Sequence, residues 1–482
     1  MSVIQYPPIL HLFTTSGNWK TRSGYAKLNT TTLGASVACT GLKYYKLVAG
    51  TKFIVGIFDN DKIYKMDYSG GGGPDGTWDD ITGSLSFAIG QDNLASFAIG
   101  EDTLIIEDGL STTPPYKWTG SGNAAALGGS PPNATMVTYH KRMGFAAGNN
   151  TNPSTLYFTD VGNIENWTTG LSGNLNIDTN DGTVITGIVP GFDALYIWKG
   201  TAGSSNGSIW RLSGDDKDTF QLQRMVSIVG TASHQSIARI GSDFFFTTSQ
   251  GDVYIYDGAI KTQLISTKIQ GSIDGANFNR FPYAIGEVFD KDYYISYSTV
   301  SNSTHNRVLS FDTFPYAWTK FTGLNANALA VAEDGLGKDM LVFGDYGGFV
   351  YKYPSGTNDA GTAISTLYVT KQYYFPELKP QKDWKLLKVF ANQKGNYNLN
   401  LELRKDFGGT GTAESVSLLG VSSLYGTAVY GVDSYGGQNL IIGRIEVNKE
   451  GDFYQIRFSN SNLDEPIEVK GWEIYLQEGD RV

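Results

Sequence analysis

The chain has 482 residues, enough for two lobes with separate cores. It combines 59 glycines and 13% aromatic residues with only 17% charged residues, a composition typical of many short strands joined by tight turns. A formal net charge of −10 and the lack of a basic cluster argue against a sequence-reading nucleic-acid binder, and a single cysteine, Cys39, excludes an internal disulfide framework.

Residues 1–30 are expected to form an entry segment or strand. Residues 1–13 have no basic n-region and contain Pro7 and Pro8, so no signal peptide is expected. The sequence contains no stretch with the apolar length of a membrane span, so no membrane-spanning segment is expected either. The lone cysteine suits synthesis in a reducing cytoplasm.

Apolar and polar residues alternate with a period of two from about residue 31 to 360, for example in 62–66, 251–256 and 348–353. Each of these segments is bounded by Gly, Asp, Ser or Pro, which predicts antiparallel strands with one buried face. Helical periodicity is almost absent. The best helical candidate, residues 233–239, predicts no more than one or two turns.

A degenerate unit recurs in this region: a strand with paired aromatic residues, a Gly turn, and a second aromatic strand. Four tryptophans fall one per unit, at a spacing of about 40–50 residues that matches a four-stranded propeller blade: Trp78, Trp118, Trp167 and Trp210. The pattern predicts an irregular β-propeller of about six to eight blades over residues 31–360. A β-sandwich with recurrent aromatic residues is the alternative.

Longer alternating strands follow Gly361. They are predicted at 386–390, 397–403, 440–447, 454–458 and 468–476. The fold class is therefore all-β, with the propeller followed by a C-terminal, platform-like β-sandwich over residues 361–482. The Gly-rich stretch from Gly408 to Gly437 is predicted to be a long loop or protrusion.

Three acidic segments are candidates for binding sites. Residues 74–78 resemble the Asp-box turn of sialidases but are one residue short, so a plain turn is predicted. Asp178, Asn180 and Asp181 resemble part of a calcium loop, but the twelfth position is Val189 instead of Glu, which favours a polar turn.

A third acidic turn contains Asp215, Asp216 and Asp218 around Lys217. A solvated loop is predicted there, with calcium binding as the alternative.

The remaining polar motifs predict no chemistry. The four histidines lack a zinc-ligand spacing: His11, His140, His234 and His305. Lys141 and Arg142 follow His140 in a predicted solvated turn, and the glycines at 70–73 precede no helix, so they predict a flexible loop. Catalytic, cofactor-binding and metal-ligating residues are therefore predicted to be none, and the protein is expected to be neither an enzyme nor a cofactor carrier.

One family resemblance covers most of the chain. Residues 17–28, with Arg22 and the pair Gly24-Tyr25, resemble the opening of the tail nozzle or hub (tail tubular) proteins of short-tailed bacteriophages. Further matches follow in the same order: Phe158-Thr159-Asp160 with Asn166-Trp167, Asp181-Gly182 with Ile185-Thr186-Gly187, 195–199 with 208–210, Val229-Gly230 with 233–237, Phe245-Phe246 with 251–254, 308–312 with Ala317-Trp318, and 456–459.

The resemblance implies a structural protein of the virion tail, assembled in the host cytoplasm. It implies a homo-oligomeric ring, commonly a hexamer, that contacts the adaptor and portal-side ring proteins and possible tail fibres or spikes. DNA would pass through the ring transiently, without specific binding. The alternative function is a carbohydrate-binding or carbohydrate-degrading, sialidase-like propeller at the virion or cell surface, where exposed aromatic residues such as Tyr256 or Trp318 would stack on sugars. A bacterial scaffold propeller is a third possibility.

Overall fold

A computed structural model describes residues 10–12, 19–69, 72–201, 203–374, 382–419 and 440–478. The chain forms two compact units, one of residues 26–354 and one that combines residues 1–25 with 355–482. The propeller therefore covers nearly the range expected from the sequence. The N-terminal segment, in contrast, does not stand alone but belongs largely to the C-terminal unit.

Strands account for most of both units. Three short strands come first: β1 (Leu10–Leu12), β2 (Trp19–Lys20) and β3 (Ala26–Lys27). The next strands form seven sheets, called blades 1 to 7. Blades 1 to 4 contain, in blade 1, β4 (Cys39–Lys46), β5 (Lys52–Phe58), β6 (Lys62–Asp67) and β7 (Asp79–Asp80); in blade 2, β8 (Ser96–Gly100), β9 (Thr103–Glu107), β10 (Tyr116–Trp118) and β11 (Ala125–Ala126); in blade 3, β12 (Met136–His140), β13 (Met143–Ala147), β14 (Thr155–Phe158) and β15 (Gly173–Asn176); and in blade 4, β16 (Val184–Pro190), β17 (Leu195–Thr201), β18 (Ser204–Ser213) and β19 (Gln221–Val226). Blades 5 to 7 contain, in blade 5, β20 (Ala238–Ile240), β21 (Asp243–Thr247), β22 (Val253–Tyr256) and β23 (Thr262–Leu264); in blade 6, β24 (Ile285–Phe289), β25 (Asp292–Tyr297), β26 (Arg307–Asp312) and β27 (Ala317–Thr322); and in blade 7, β28 (Ala328–Glu333), β29 (Asp339–Gly344) and β30 (Val350–Tyr353).

Within the described residues, the larger unit is a β-propeller of seven four-stranded antiparallel sheets. Six blades are built from consecutive strands. Blade 7 takes its outermost strand from the other end of the chain, because β3 pairs with β30, with Ala26 opposite Lys352. This pairing closes the ring of blades, so no blade is left with three strands.

Aromatic side chains fill the spaces between blades. Trp118 of blade 2 packs against Tyr45 and Phe53 of blade 1 at ring distances of 5.6 and 4.8 Å. Trp198 of blade 4 packs against Phe244 of blade 5 at 5.4 Å. Each aromatic ring of this kind buries about 150–250 Å². Of the four regularly spaced tryptophans, Trp118 thus packs between two blades, whereas Trp78 packs on Phe58 and Tyr64 of its own blade.

The meander of each blade gives the propeller two distinct faces. Turns between the first and second strands, and between the third and fourth, leave from one face, which we call the hairpin face. Turns between the second and third strands, and the connections from one blade to the next, lie on the opposite face, which we call the crossover face.

Helical structure is confined to short turns within the described ranges: a four-residue helix, α1 (Gln270–Ile273), and 3-10 turns at His234–Ser236, Ser266–Ile269 and Phe278–Tyr283. The helical candidate at 233–239 is thus a single 3-10 turn. No helix in the described parts of the chain is long and apolar enough to cross a membrane.

The second unit contains two five-stranded sheets that share one apolar core. Its remaining strands are β31 (Thr366–Val369), β32 (Tyr373–Tyr374), β33 (Lys382–Asn392), β34 (Asn398–Lys405), β35 (Thr412–Ser417), β36 (Leu440–Gly451), β37 (Phe453–Asn460) and β38 (Glu468–Glu478). One sheet contains β1, β2, β33, β36 and β38, and the other contains β31, β32, β34, β35 and β37.

Two expectations for this region need correction. The stretch from Gly408 to Gly437 is not one loop, because Thr412–Ser417 forms β35 and pairs with β34; residues 420–439 lie outside the described part. The first strands of the chain are also part of this unit, because Trp19 pairs with Val469 and packs on Tyr368 at 5.2 Å.

Candidate functional site

The axis of the propeller contains a cavity of about 580 Å³ lined by the innermost strands of six blades and by residues next to the His234 turn. Each innermost strand pairs on one side only, with the second strand of its blade. Its free edge therefore offers backbone N–H and C=O groups to the cavity. A cavity of this size is within the range of small-ligand pockets.

The crossover from blade 4 to blade 5 divides the axis into two cavities. His234 and Gln235 line both the axial cavity and a second one of about 230 Å³, which is lined by residues of the crossover face such as Asp92 and Tyr283. The Gln235 side chain donates hydrogen bonds across the axis to the Leu94 and Ala95 carbonyls at 3.1 and 3.4 Å.

His234 holds this partition in place as a neutral base. Its Nδ1 accepts the Ile188 N–H at 3.4 Å, so the ring proton is on Nε2, which donates to Ser96 Oγ at 3.2 Å. Burial lowers the pKa of His234 to about 4. The Ser96 hydroxyl already exchanges hydrogen bonds with the Val137 backbone. This serine–histidine pair cannot act as a nucleophile and base, because the protonated nitrogen faces the hydroxyl.

A polar network links the blade-to-blade connections of the crossover face near the partition. Arg280 forms two hydrogen bonds with the Asp92 carboxylate, at 2.5 and 2.6 Å, and so joins two blade-to-blade connections. Asn327 donates to the backbone carbonyls of Cys39 and Gln91, both at 3.0 Å, and accepts the Tyr346 hydroxyl at 2.9 Å. The connections between blades are therefore joined to one another by hydrogen bonds on this face.

Two oppositely charged side chains line the axial cavity on the other side of the partition. Lys43 lies on β4, and Glu287 lies on β24. Burial raises the pKa of Glu287, although the Val288 N–H and the Lys43 charge counteract it. The Val288 N–H reaches Glu287 Oε1 at 2.9 Å.

The acidic turn at 178–182 encloses a lysine. Lys199 is fully buried, and its ammonium donates to the carbonyls of Ile177 and Asp178, at 2.7 and 2.6 Å, and to Asp181 Oδ1 at 2.9 Å. Burial alone would raise the pKa of Asp181, but the hydrogen bonds from Lys199 and Thr183 lower it. The turn is polar, as predicted, and its cation is a side chain of the protein.

The turn at 215–218 is solvated, as predicted. Asp215 is 81% exposed and pairs with Lys141 at 2.7 Å. Asp216 is bonded to Thr219 within the turn. The Asp75 carboxylate accepts the Thr77 N–H at 3.0 Å, so the segment related to the Asp-box is an ordinary turn.

The other polar candidates lie in separate turns. Lys141 and Arg142 form the tip of the blade 3 hairpin with positive φ angles, and His305 is buried with its Nδ1 3.1 Å from the Ala326 carbonyl. Across the described ranges, no three His, Cys, Asp or Glu side chains are grouped closely enough to hold a metal ion. Gly70 and Gly71 and the His11 side chain lie outside the description.

The aromatic residues considered for sugar stacking are not exposed. Tyr256 is fully buried, and its hydroxyl donates to the Ala259 carbonyl at 2.7 Å. Trp318 packs on Phe311 at 4.9 Å and donates from Nε1 to the Ile265 carbonyl. The expectation of exposure was wrong because these strands face neighbouring blades.

One buried carboxyl has no partner. Both oxygens of Glu107, at the end of β9, are fully buried without a hydrogen bond in the described structure. Burial and the neighbouring Asp108 charge raise the pKa of Glu107 well above its ordinary value. The side chain is therefore neutral over a wider pH range than an exposed glutamate.

The hairpin face carries the most exposed apolar side chains of the propeller. Five turn tips on this face hold a large apolar residue that is at least 75% exposed: Val48, Phe192, Ile260, Phe314 and Leu336. They belong to blades 1, 4, 5, 6 and 7. Exposed apolar residues also lie on the crossover face, where Ile228 is 74% and Ile89 is 69% exposed, so the hairpin face differs in carrying more of them.

No protein-family model matches the chain, and no curated protein matches it. Among solved structures, it is similar to BBS1N in complex with ARL6DN (TM-score 0.42, 10% identity, 70% of this chain and 99% of that chain). It is also similar to PorZ, a surface component of the type-IX secretion system of Porphyromonas gingivalis (0.39, 13%, 80% and 45%), and to YCF48 bound to D1 peptide (0.40, 10%, 67% and 94%). The match covers less than half of the PorZ chain.

Sequence reasoning did not identify the axial site. Its residues come from six blades, and their convergence depends on ring closure. Glu287 and Lys43 are single charged residues within strands. The alternating pattern predicts that such residues face solvent. For the turn at 178–182 a signal was present, because Lys199 interrupts the otherwise apolar run that begins at Leu195.

Proposed function

We propose that this protein is a structural component of the tail of a short-tailed bacteriophage, where it forms a ring-shaped nozzle or hub that retains and releases DNA. The observation that carries the proposal is the set of five exposed apolar tips on the hairpin face of a propeller whose opposite face is cross-linked by hydrogen bonds. The order of motifs shared with tail hub proteins supports it.

The charge of the chain suits a conduit. At −10 per copy, repulsion between the ring and DNA disfavours the phosphate contacts that make binding tight and salt-dependent. In this proposal, neighbouring copies, commonly six, associate with one another and with the adaptor ring, and the apolar tips are the contact points.

A matched pair of triple variants tests this assignment. Val48→Ser, Phe314→Ser and Leu336→Ser together should give a folded propeller that no longer enters particles or forms rings on the adaptor. The control triple, Ile89→Ser, Ile228→Ser and Val300→Ser, changes exposed apolar residues on the crossover face and should assemble normally.

Cryo-EM of the virion that encodes the chain is the direct measurement. The proposal requires ring density around the tail axis. A monomer, density away from the axis, or equal assembly of the two triple variants would contradict it.

A further inference from the structure

The axial cavity holds two opposite charges that do not pair with each other. Glu287 and Lys43 both line it, and neither forms an ion pair within 4 Å with a described residue. The one hydrogen bond to the Glu287 carboxylate comes from the neighbouring Val288 N–H. Most of its acceptor capacity is therefore not used by the described part of the protein.

A carboxylate in this position has lost solvation that the surrounding protein groups replace only in part. Burial disfavours its ionised form, and the Lys43 charge offsets only part of that cost. A cation placed against the carboxylate would compensate for the lost solvation. The cavity of about 580 Å³ has room for one.

The donor set favours an organic cation. Hard metal ions require several oxygen ligands, whereas Glu287 is the single carboxylate on this wall and both His234 nitrogens are already bonded. An amine or guanidinium group needs one carboxylate and a few carbonyls, and the free edges of the inner strands provide such carbonyls.

We propose that the axial cavity binds an amine or guanidinium group on the carboxylate of Glu287. The group belongs either to a small organic molecule or to a basic side chain of a partner protein. Lys43 repels a second positive charge, so the cavity accepts a single cationic head and favours ligands whose remaining part is neutral or anionic. This inference does not depend on the proposed tail function.

Isothermal titration calorimetry of the full-length protein tests the proposal. Methylguanidinium should bind saturably, and methylurea, which has nearly the same shape but no charge, should not. Glu287→Gln should weaken methylguanidinium binding by about tenfold or more. Lys43→Met should strengthen it by about threefold or more, because a like charge is removed. Glu101→Gln, at the exposed tip of the blade 2 hairpin, is the matched control and should leave the affinity unchanged.

A second titration with N-acetylarginine amide and an Arg-containing peptide separates the two sources. Binding of methylguanidinium alone supports a small molecule, and tighter binding of the peptide supports a partner's side chain. Absence of saturable binding, or equal affinity of wild type and Glu287→Gln, would overturn the proposal. If Glu287→Gln fails to fold, the Lys43→Met variant provides the test. Unchanged affinity for methylguanidinium in that variant would also overturn the proposal.

Discussion

Lys199 and Glu107 are both fully buried ionisable side chains of the propeller, yet their surroundings differ completely. Lys199 has three oxygen acceptors, one of them a carboxylate, whereas neither oxygen of Glu107 has a donor in the described structure. A buried charge is tolerated where hydrogen bonds and an opposite charge replace water. The surroundings of Lys199 thus compensate a positive charge, whereas burial without a donor raises the pKa of Glu107 and favours its neutral form.

The largest expected effect is at Lys199. Lys199→Met should reduce the free energy of unfolding by about 3–5 kcal/mol, because Asp181 and two carbonyls lose their cation. Thermal and urea unfolding of the full chain would measure this. The double variant Lys199→Met and Asp181→Ala should recover part of the loss, because no uncompensated charge remains. A double variant as unstable as the single one would contradict the account.

An intermediate, pH-dependent effect is expected at Glu107. The pKa of Glu107 is raised in the folded state, so its contribution to stability is full below about pH 4.5, the ordinary value, and is lost as pH rises toward the folded pKa. Glu107→Gln removes this titration. Relative to wild type, the variant should therefore become more stable as pH rises from 4.5 to 8, by about 1.4 kcal/mol for each unit by which the pKa is raised.

Melting midpoints at several pH values would test this, with Glu101→Gln as the control. Glu101 is on the same hairpin but is exposed, so its variant should follow the wild-type profile. Parallel profiles for the wild type and Glu107→Gln would show that Glu107 is ionised in the folded protein.

The smallest effect on stability is expected for the exposed ion pair of Lys141 and Asp215. Lys141 hydrogen-bonds Asp215 and lowers the pKa of that carboxyl, but Asp215 is highly exposed and water solvates it without help. Lys141→Ala should leave the melting midpoint unchanged within error, at low and at high salt. A clear loss of stability would mean that burial is not what separates this pair from Lys199 and Asp181.

Much of the fold could be predicted because strand periodicity is local. The alternating segment at 62–66 lies within β6, and those at 251–256 and 348–353 contain β22 and β30. The four regularly spaced tryptophans come from the first four blades in turn. The C-terminal strands expected from 386 onward were found, each longer than predicted by one or more residues.

The remaining features depend on contacts distant in sequence. β2 and β3 have two residues each, too few for any periodic signal, and their pairing partners lie hundreds of residues away. The bond between Ser96 and His234 joins blade 2 to a crossover two blades further on. No local pattern encodes such a contact, because it is set by the number of blades in the ring.

Each unit includes a strand from near the start of the sequence, because β2 pairs with β38 in one unit and β3 pairs with β30 in the other. Trp19 and its strand partner Val469 lie about 450 residues apart, so a ribosome working at about 5–20 residues per second makes them about 20–90 s apart. During that time β2 has no partner, and blade 7 cannot be completed until β30 has been made. β2 and β3 are thus made before the strands with which they pair, and their edges stay unpaired until β38 and β30 follow.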